Sequence, residues 1–159
     1  MQRRGLRPST RVVRADAVEP PAEVAQFLGL GPGEQCWRIE RIRVASSEPM
    51  AFEASWYSMQ LLPDLDRFDL STSIYTILAE HYEIVVDTAE QTVWAEVADE
   101  RLAKQLELAV GSPILAFDRY SRSLGRPLER TVSRYRGDRY QIHVSLDSTM
   151  PHHHGKEPR

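Results

Sequence analysis

Arg41 and Arg43 stand two residues apart in the run Gln35-Cys36-Trp37-Arg38-Ile39-Glu40-Arg41-Ile42-Arg43-Val44. Alternate side chains of a strand point the same way, so the two guanidiniums share a face with Trp37 and Ile39. Burying an unpaired charge is very costly, so such a pair on a partly apolar face calls for either open solvent or anionic partners. Carboxylates that could do acid or base chemistry are Glu53, Glu90 and Glu129, residues that serve equally well on solvated strand faces. His81 and His143 have no motif partner and read as structural. Cys36, beside Trp37 in a strand, reads as a packed thiol rather than a nucleophile.

Around these residues the chain is punctuated by turn formers. A strand is expected near Thr10–Val13, stopped by Pro20-Pro21, which also opens a helix over Ala22–Leu28 with Val24, Ala25 and Leu28 on one face. Gln35–Ala45 and Met50–Ser58 read as an antiparallel hairpin joined through Ser46-Ser47-Glu48-Pro49. In its second strand Ala51, Glu53, Ser55 and Tyr57 share the more polar face, which looks either at solvent or into a cavity. Ser71 or Ser73 caps a helix whose Ile74, Ile77, Leu78 and Tyr82 pack one side, with Ser73 and Tyr75 at its first turn. Ile84–Val97 predicts a long strand, and Asp99 and Glu100 open a helix through Leu106. Ile114–Ser123 and Pro127–Arg136 form a second hairpin, in which Glu129, Thr131, Ser133 and Tyr135 alternate to one face. A last strand is expected over Tyr140–Leu146. The class is α+β, a roughly six-stranded antiparallel sheet carrying short helices.

At 159 residues and 42% apolar content the chain fits one domain with a real core. The formal charge of -3 hides an asymmetry, since residues 1–14 hold five arginines and no acid. A basic leader of this kind can touch nucleic acid or serve as a solvated linker. Residues 1–10 read as a linker or arm, 11–147 as the domain, and 148–159, with His152, His153 and His154, as a disordered tail. One cysteine permits neither an internal disulfide nor a cysteine zinc cluster, which fits a reducing cytoplasm. No apolar run approaches the roughly 20 residues of a membrane span. The dinucleotide fingerprint, the Walker loop, the helix-borne zinc pair and the Gly-x-Ser-x-Gly elbow are absent, so neither a cofactor nor a metal is called for.

The order of several short segments adds a second line of reading. They are Leu28-Gly29-Leu30-Gly31-Pro32-Gly33-Glu34, Ile39–Arg43 before Glu48-Pro49-Met50-Ala51, Glu53, Ser73-Ile74-Tyr75 and Ala89-Glu90-Gln91. Ala98–Leu106, Ser112–Leu115, Gly125–Glu129 and Tyr135–Tyr140 follow. Together they resemble the UTRA effector-sensing domain of GntR-type transcription regulators of the HutC subfamily, whose fold is like that of chorismate lyase. The resemblance implies an allosteric rather than catalytic role. It implies an anion held by Arg41, Arg43, Ser73 and Tyr75, with Glu53, Glu129 and Tyr135 around the polar body of a small effector, a sugar phosphate or a carboxylate. It also implies a homodimer, and DNA contact through a winged helix-turn-helix that residues 1–20 cannot supply. The chain is thus expected to be an excised or a stand-alone sensor. Two rival readings are a chorismate lyase-like enzyme and a nucleic-acid module using the arginine arm.

Overall fold

The computed structural model describes residues 8–144, so the segments 1–7 and 145–159 lie outside the described residues. Six strands form one sheet: β1 (Pro8–Val18), β2 (Cys36–Ala45), β3 (Glu48–Tyr57), β4 (Thr88–Val97), β5 (Pro113–Ser123) and β6 (Arg126–Arg136). Their order is β1-β2-β3-β6-β5-β4, and every neighbouring pair is antiparallel. Three helices lie against it: α1 (Ala22–Leu28), α2 (Ile74–His81) and α3 (Glu100–Leu106). The α+β class and the antiparallel sheet read from the sequence are therefore what the chain forms. Among the described residues no helix is long and apolar enough to cross a membrane.

Two clusters of buried residues divide the sheet's faces. On one, Ile42, Phe52, Ala54, Trp56, Ile114 and Val132 meet Val24 of α1 and Leu102, Ala103 and Leu106 of α3. On the other, Trp37, Ile39, Tyr57 and Leu128 meet Ile74, Ile77 and Leu78 of α2 and the leucines of the segment before it. The period-2 pattern of β2 and β3 is thus buried on both sides, which is why β3 has almost no exposed position.

Both hairpins turn on two residues with left-handed backbone: Ser46 and Ser47 (φ 49° and 72°), and Leu124 and Gly125 (φ 49° and 73°). Paired positive φ values match the right-handed twist of the flanking strands. Each hairpin also carries a register shift, between Arg43 and Val44 in the first and between Ser121 and Arg122 in the second.

Two expected strands differ. Ile84–Asp87 is not part of β4: the Ile84 N–H bonds the Leu78 carbonyl (2.9 Å), and Ile84 and Val86 pack into the α2-side cluster. Tyr140–Val144, the described part of the expected last strand, is not strand either. Its neighbour β6 already has β3 and β5 on its two sides, so no free ladder adjoins it. Instead the chain turns at Gly137, whose N–H bonds Pro113 O (2.9 Å) so closely that an added Cβ would lie 2.8 Å from that oxygen.

Candidate functional site

The residues opening the sequence reading lie on the α2 face. Register places Arg41 opposite Glu53, Glu53 opposite Ser133, and Ser133 opposite Phe117, a row crossing four strands. Arg43, Ala51, Tyr135 and Leu115 form the next row, while Ile39, Ser55, Thr131 and Arg119 form the row on the other side. The first turn of α2 covers part of this surface, leaving a cleft of about 290 Å³.

Arg41 is nearly enclosed, its side chain 8% exposed. It donates to Glu53 Oε2 (3.0 Å) and to the carbonyls of Leu70 (3.4 Å) and Thr72 (3.2 Å), so it ties the lead-in of α2 to the sheet. Arg43, 38% exposed, lies 3.4 Å from Glu53 Oε1 and donates to Thr10 Oγ1 of β1 (3.0 Å). Ser73 is the N-cap of α2, accepting from the Thr76 N–H at 3.4 Å. The remaining first-turn N–H groups have no carbonyl within the helix to bond and carry positive partial charge.

Glu129 is the hub at the other end. It is fully buried, and its Oε1 accepts from Tyr75 Oη (2.8 Å), Arg119 (3.0 Å) and Ser121 Oγ (3.0 Å). Arg119 lies over the Tyr75 ring at 5.6 Å. Its Nε is buried without an acceptor among the described residues, as is that of Arg41. Phe117, Tyr135 and Tyr140 form an aromatic wall, with Tyr135 and Tyr140 centroids 4.1 Å apart.

Burial, then the Glu129 carboxylate, pushes the Tyr75 phenol up to about 12. Burial, then Glu53 and Tyr140, pushes Tyr135 up to about 12, while Arg43 and Arg119 pull it back. For Arg119 burial, the largest single influence, would lower the pKa, but Glu129, Tyr75 and Tyr57 together outweigh it and the net shift is upward. Cys36 is pushed up to about 11 by burial, as an unreactive packed thiol would be.

Arg41, Arg43, Glu53, Ser73, Tyr75 and Tyr135 all line the cleft. Glu129 does not: expected beside a ligand, it lies beneath the lining, held by three donors. Arg41, expected to meet an anion directly, is largely committed to Glu53 and two carbonyls. Glu90 falls on the opposite face, in a hollow with Tyr120 and Arg122, and His81 stacks on Phe68 at 4.6 Å. Sequence reasoning missed Arg119, Gln91, Phe117 and Tyr140, all of which line the cleft. The alternation Phe117, Arg119, Ser121 along β5 was the available signal. No group of three or more His, Cys, Asp or Glu suited to a metal occurs among the described residues.

Comparison with known proteins adds to the geometry. A family profile described as the UTRA domain matches residues 3–141. The transcriptional repressor NagR of Bacillus subtilis (strain 168) is 31% identical over 149 residues, covering 92% of this chain and 61% of that protein. MngR, the mannosyl-D-glycerate transport/metabolism system repressor of Escherichia coli (strain K12), is 29% identical over 120 residues, covering 74% of this chain and 49% of that one. The chain thus spans about half to three fifths of the length of these relatives. Among solved structures, the effector domain of PhnF from Mycobacterium smegmatis superposes with a TM-score of 0.85 at 22% identity, covering 92% of this chain and 91% of that one, a likeness of fold. A GntR-family transcriptional regulator from Enterococcus faecalis V583 gives 0.80 at 28% identity, covering 87% and 100%.

Proposed function

This chain belongs to the UTRA domain family, its relatives being transcription regulators, and from that premise we propose that it senses a small anionic metabolite for a bacterial regulator of the GntR type, HutC subfamily. The observation that carries the reading is the cleft itself. Three arginines face two glutamates, leaving one net positive charge beside a helix start that adds roughly half a charge more. In this reading Arg43 and the first turn of α2, with Ser73, meet the anion. Tyr135 and Glu53 orient the body of the effector. The sugar phosphate or carboxylate class fits such donors, since guanidinium meets either in bidentate fashion. The likeness to a repressor named for mannosyl-D-glycerate, a compound with a carboxylate, supports the same class.

Arg41 gives the signal a route. It holds the carbonyls of Leu70 and Thr72, so an effector competing for Arg41 or Glu53 would release the lead-in of α2 and shift the helix. A ligand shifts an equilibrium only by its difference in affinity for the two states, and the tether supplies that difference. In the whole regulator the shift would reach a winged helix-turn-helix through a homodimer, in the cytoplasm, without catalysis.

The test is a thermal-shift panel of sugar phosphates, sugar acids and imidazole or aromatic carboxylates. A ligand at 100 times its dissociation constant adds about 2.7 kcal/mol of stability. Arg43→Ala in a folded protein should abolish the gain from an anionic hit. Undiminished affinity in that variant would sink the assignment of the anion to Arg43.

A further inference from the structure

The arginines of the cleft are not one cluster. Arg43 is on β2 and Arg119 on β5, three strands away and four residues along the register. Interstrand steps of about 4.8 Å and about 3.4 Å per residue separate their Cα atoms by on the order of 20 Å. Along the strand direction Arg119 also leans away from Arg43. Arg43 donates to Thr10 on β1, the strand beyond it, while Arg119 reaches Glu129, one row farther from Arg43. A single carboxylate or phosphate cannot meet both. Between them lies Tyr135, whose phenol feels both guanidiniums.

The two poles hold donors in reserve. A guanidinium offers five N–H groups. Arg119 spends one on Glu129, and its buried Nε has no acceptor among the described residues, although the side chain lines the cleft at 34% exposure. Besides Arg119, Glu129 accepts from Tyr75, Ser121 and, at 3.5 Å, Thr131, so it can give Arg119 up to sharing without being left unpaired. The exposed part of the guanidinium, its Nη N–H groups beyond the bond to Glu129, faces the cleft, and an effector oxygen can meet it there.

Resting on the anion-sensing reading above, we infer that Arg119 is a second pole that selects effectors carrying an anionic group at each end of a short polar chain. One group meets Arg43 and the start of α2, the other meets Arg119, and hydroxyls between them face Tyr135 and Ser133. The net positive charge of the cleft and the helix start together counter most of a charge of two.

Calorimetric titration of this chain with four probes tests it. The two-ended probes are 6-phosphogluconate and glucarate, and the one-ended counterparts are glucose 6-phosphate and gluconate. The expected result is that a two-ended probe binds at least tenfold more tightly than its counterpart, and that Arg119→Gln collapses this ratio toward one. Which two-ended probe is preferred tells whether the second charge is paired with phosphate or carboxylate. Because Arg119→Gln leaves Glu129 short of a partner, Arg119→Gln/Glu129→Gln keeps the net charge of the site unchanged and should show the same collapse. Equal binding of one-ended and two-ended probes, or a ratio that survives in both variants, overturns the second pole and leaves the anion-sensing reading standing. Binding of none of the four overturns the second pole, and the anion-sensing reading falls with it only when the wider thermal-shift panel is silent as well.

Discussion

Arg119 and Arg130 lie almost side by side on β5 and β6, since Arg119 pairs with Thr131, yet they face opposite sides of the sheet and have opposite fates. Arg130 donates from Nε (3.0 Å) and Nη2 (2.8 Å) to both oxygens of Asp118, meets Glu23 of α1 at 2.9 Å, and lies over the rings of Trp56 and Tyr120. It is matched on every side. Arg119 has one hydrogen bond, to Glu129, one aromatic neighbour and a cleft in front of it. The closed face is not free of unpaired atoms, because Arg38 Nε and Trp56 Nε1 also lack acceptors. Arg38, however, is bonded to Glu40 and lies over the Trp56 ring with no cleft between them. An arginine therefore reads as structural when helices close over its partners and as available when they stop short. Here α1 closes over Arg130 and its partners on one face, and α2 stops short of Arg119 on the other.

The contrast makes a stability prediction. Arg130→Gln deprives Asp118 of its bidentate partner in a largely buried place and Glu23 of its ion pair, which should cost about 3 kcal/mol. Arg119→Gln/Glu129→Gln removes the cleft pair without stranding the buried Glu129 charge, leaves an amide oxygen for Tyr75 and Ser121, and should cost about 1 kcal/mol. Urea denaturation of the two variants measures both. Equal losses would mean that the cleft arginine is as structural as the buried one, and the comparison would break.

The helix caps sharpen it. Asp99 caps α3 by accepting from the Leu102 N–H at 2.7 Å, whereas Ser73 caps α2 at 3.4 Å. Asp99→Ala should cost about 1 kcal/mol of stability and leave effector affinity unchanged. Ser73→Ala should cost about 0.5 kcal/mol and weaken an anionic effector severalfold, because its hydroxyl stands at the cleft. Denaturation and titration on the same two proteins separate these outcomes. A larger stability loss and no binding loss at Ser73 would make that cap purely structural.

Sheet class, helices and most of the lining were legible in the sequence because period 2, caps and turn residues are local signals. What was not legible follows from two bulges. Counting outward from Ser46-Ser47 without a register shift sets Arg41 opposite Phe52, and the shift at Arg43/Val44 is what brings it opposite Glu53. Counting from Leu124-Gly125 likewise sets Arg119 opposite Arg130, off the cleft, and the shift at Ser121/Arg122 moves it opposite Thr131. One extra residue in each hairpin thus decides which charges meet. Glu129 could be assigned to the right face but not to its depth, since burial beneath Tyr75 depends on where α2 docks. Residues 140–144 alternate like a strand, yet β6 has no free side left to receive them.

An effect confined to high pH is a dependence of stability on pH that belongs to the cleft face. Tyr75 and Tyr135 are each pushed up to about 12, by burial first and then by carboxylate neighbours, from an ordinary value of 10.0. The sign follows from proton counting. Between those values the unfolded chain has lost phenol protons that the folded chain keeps, so the unfolded state gains relative to the folded one as pH rises. The contribution is fully present below pH 10 and is lost progressively as pH approaches 12. Tyr57, Tyr82 and Tyr120 are also raised, so the slope should be reduced rather than abolished in Tyr75→Phe/Tyr135→Phe. Chemical denaturation midpoints followed from pH 9 upward, in the wild type, this double variant and Tyr120→Phe, give the ranking. A slope unchanged in the double variant but flattened in Tyr120→Phe would assign the effect to the closed face and reverse this part of the contrast.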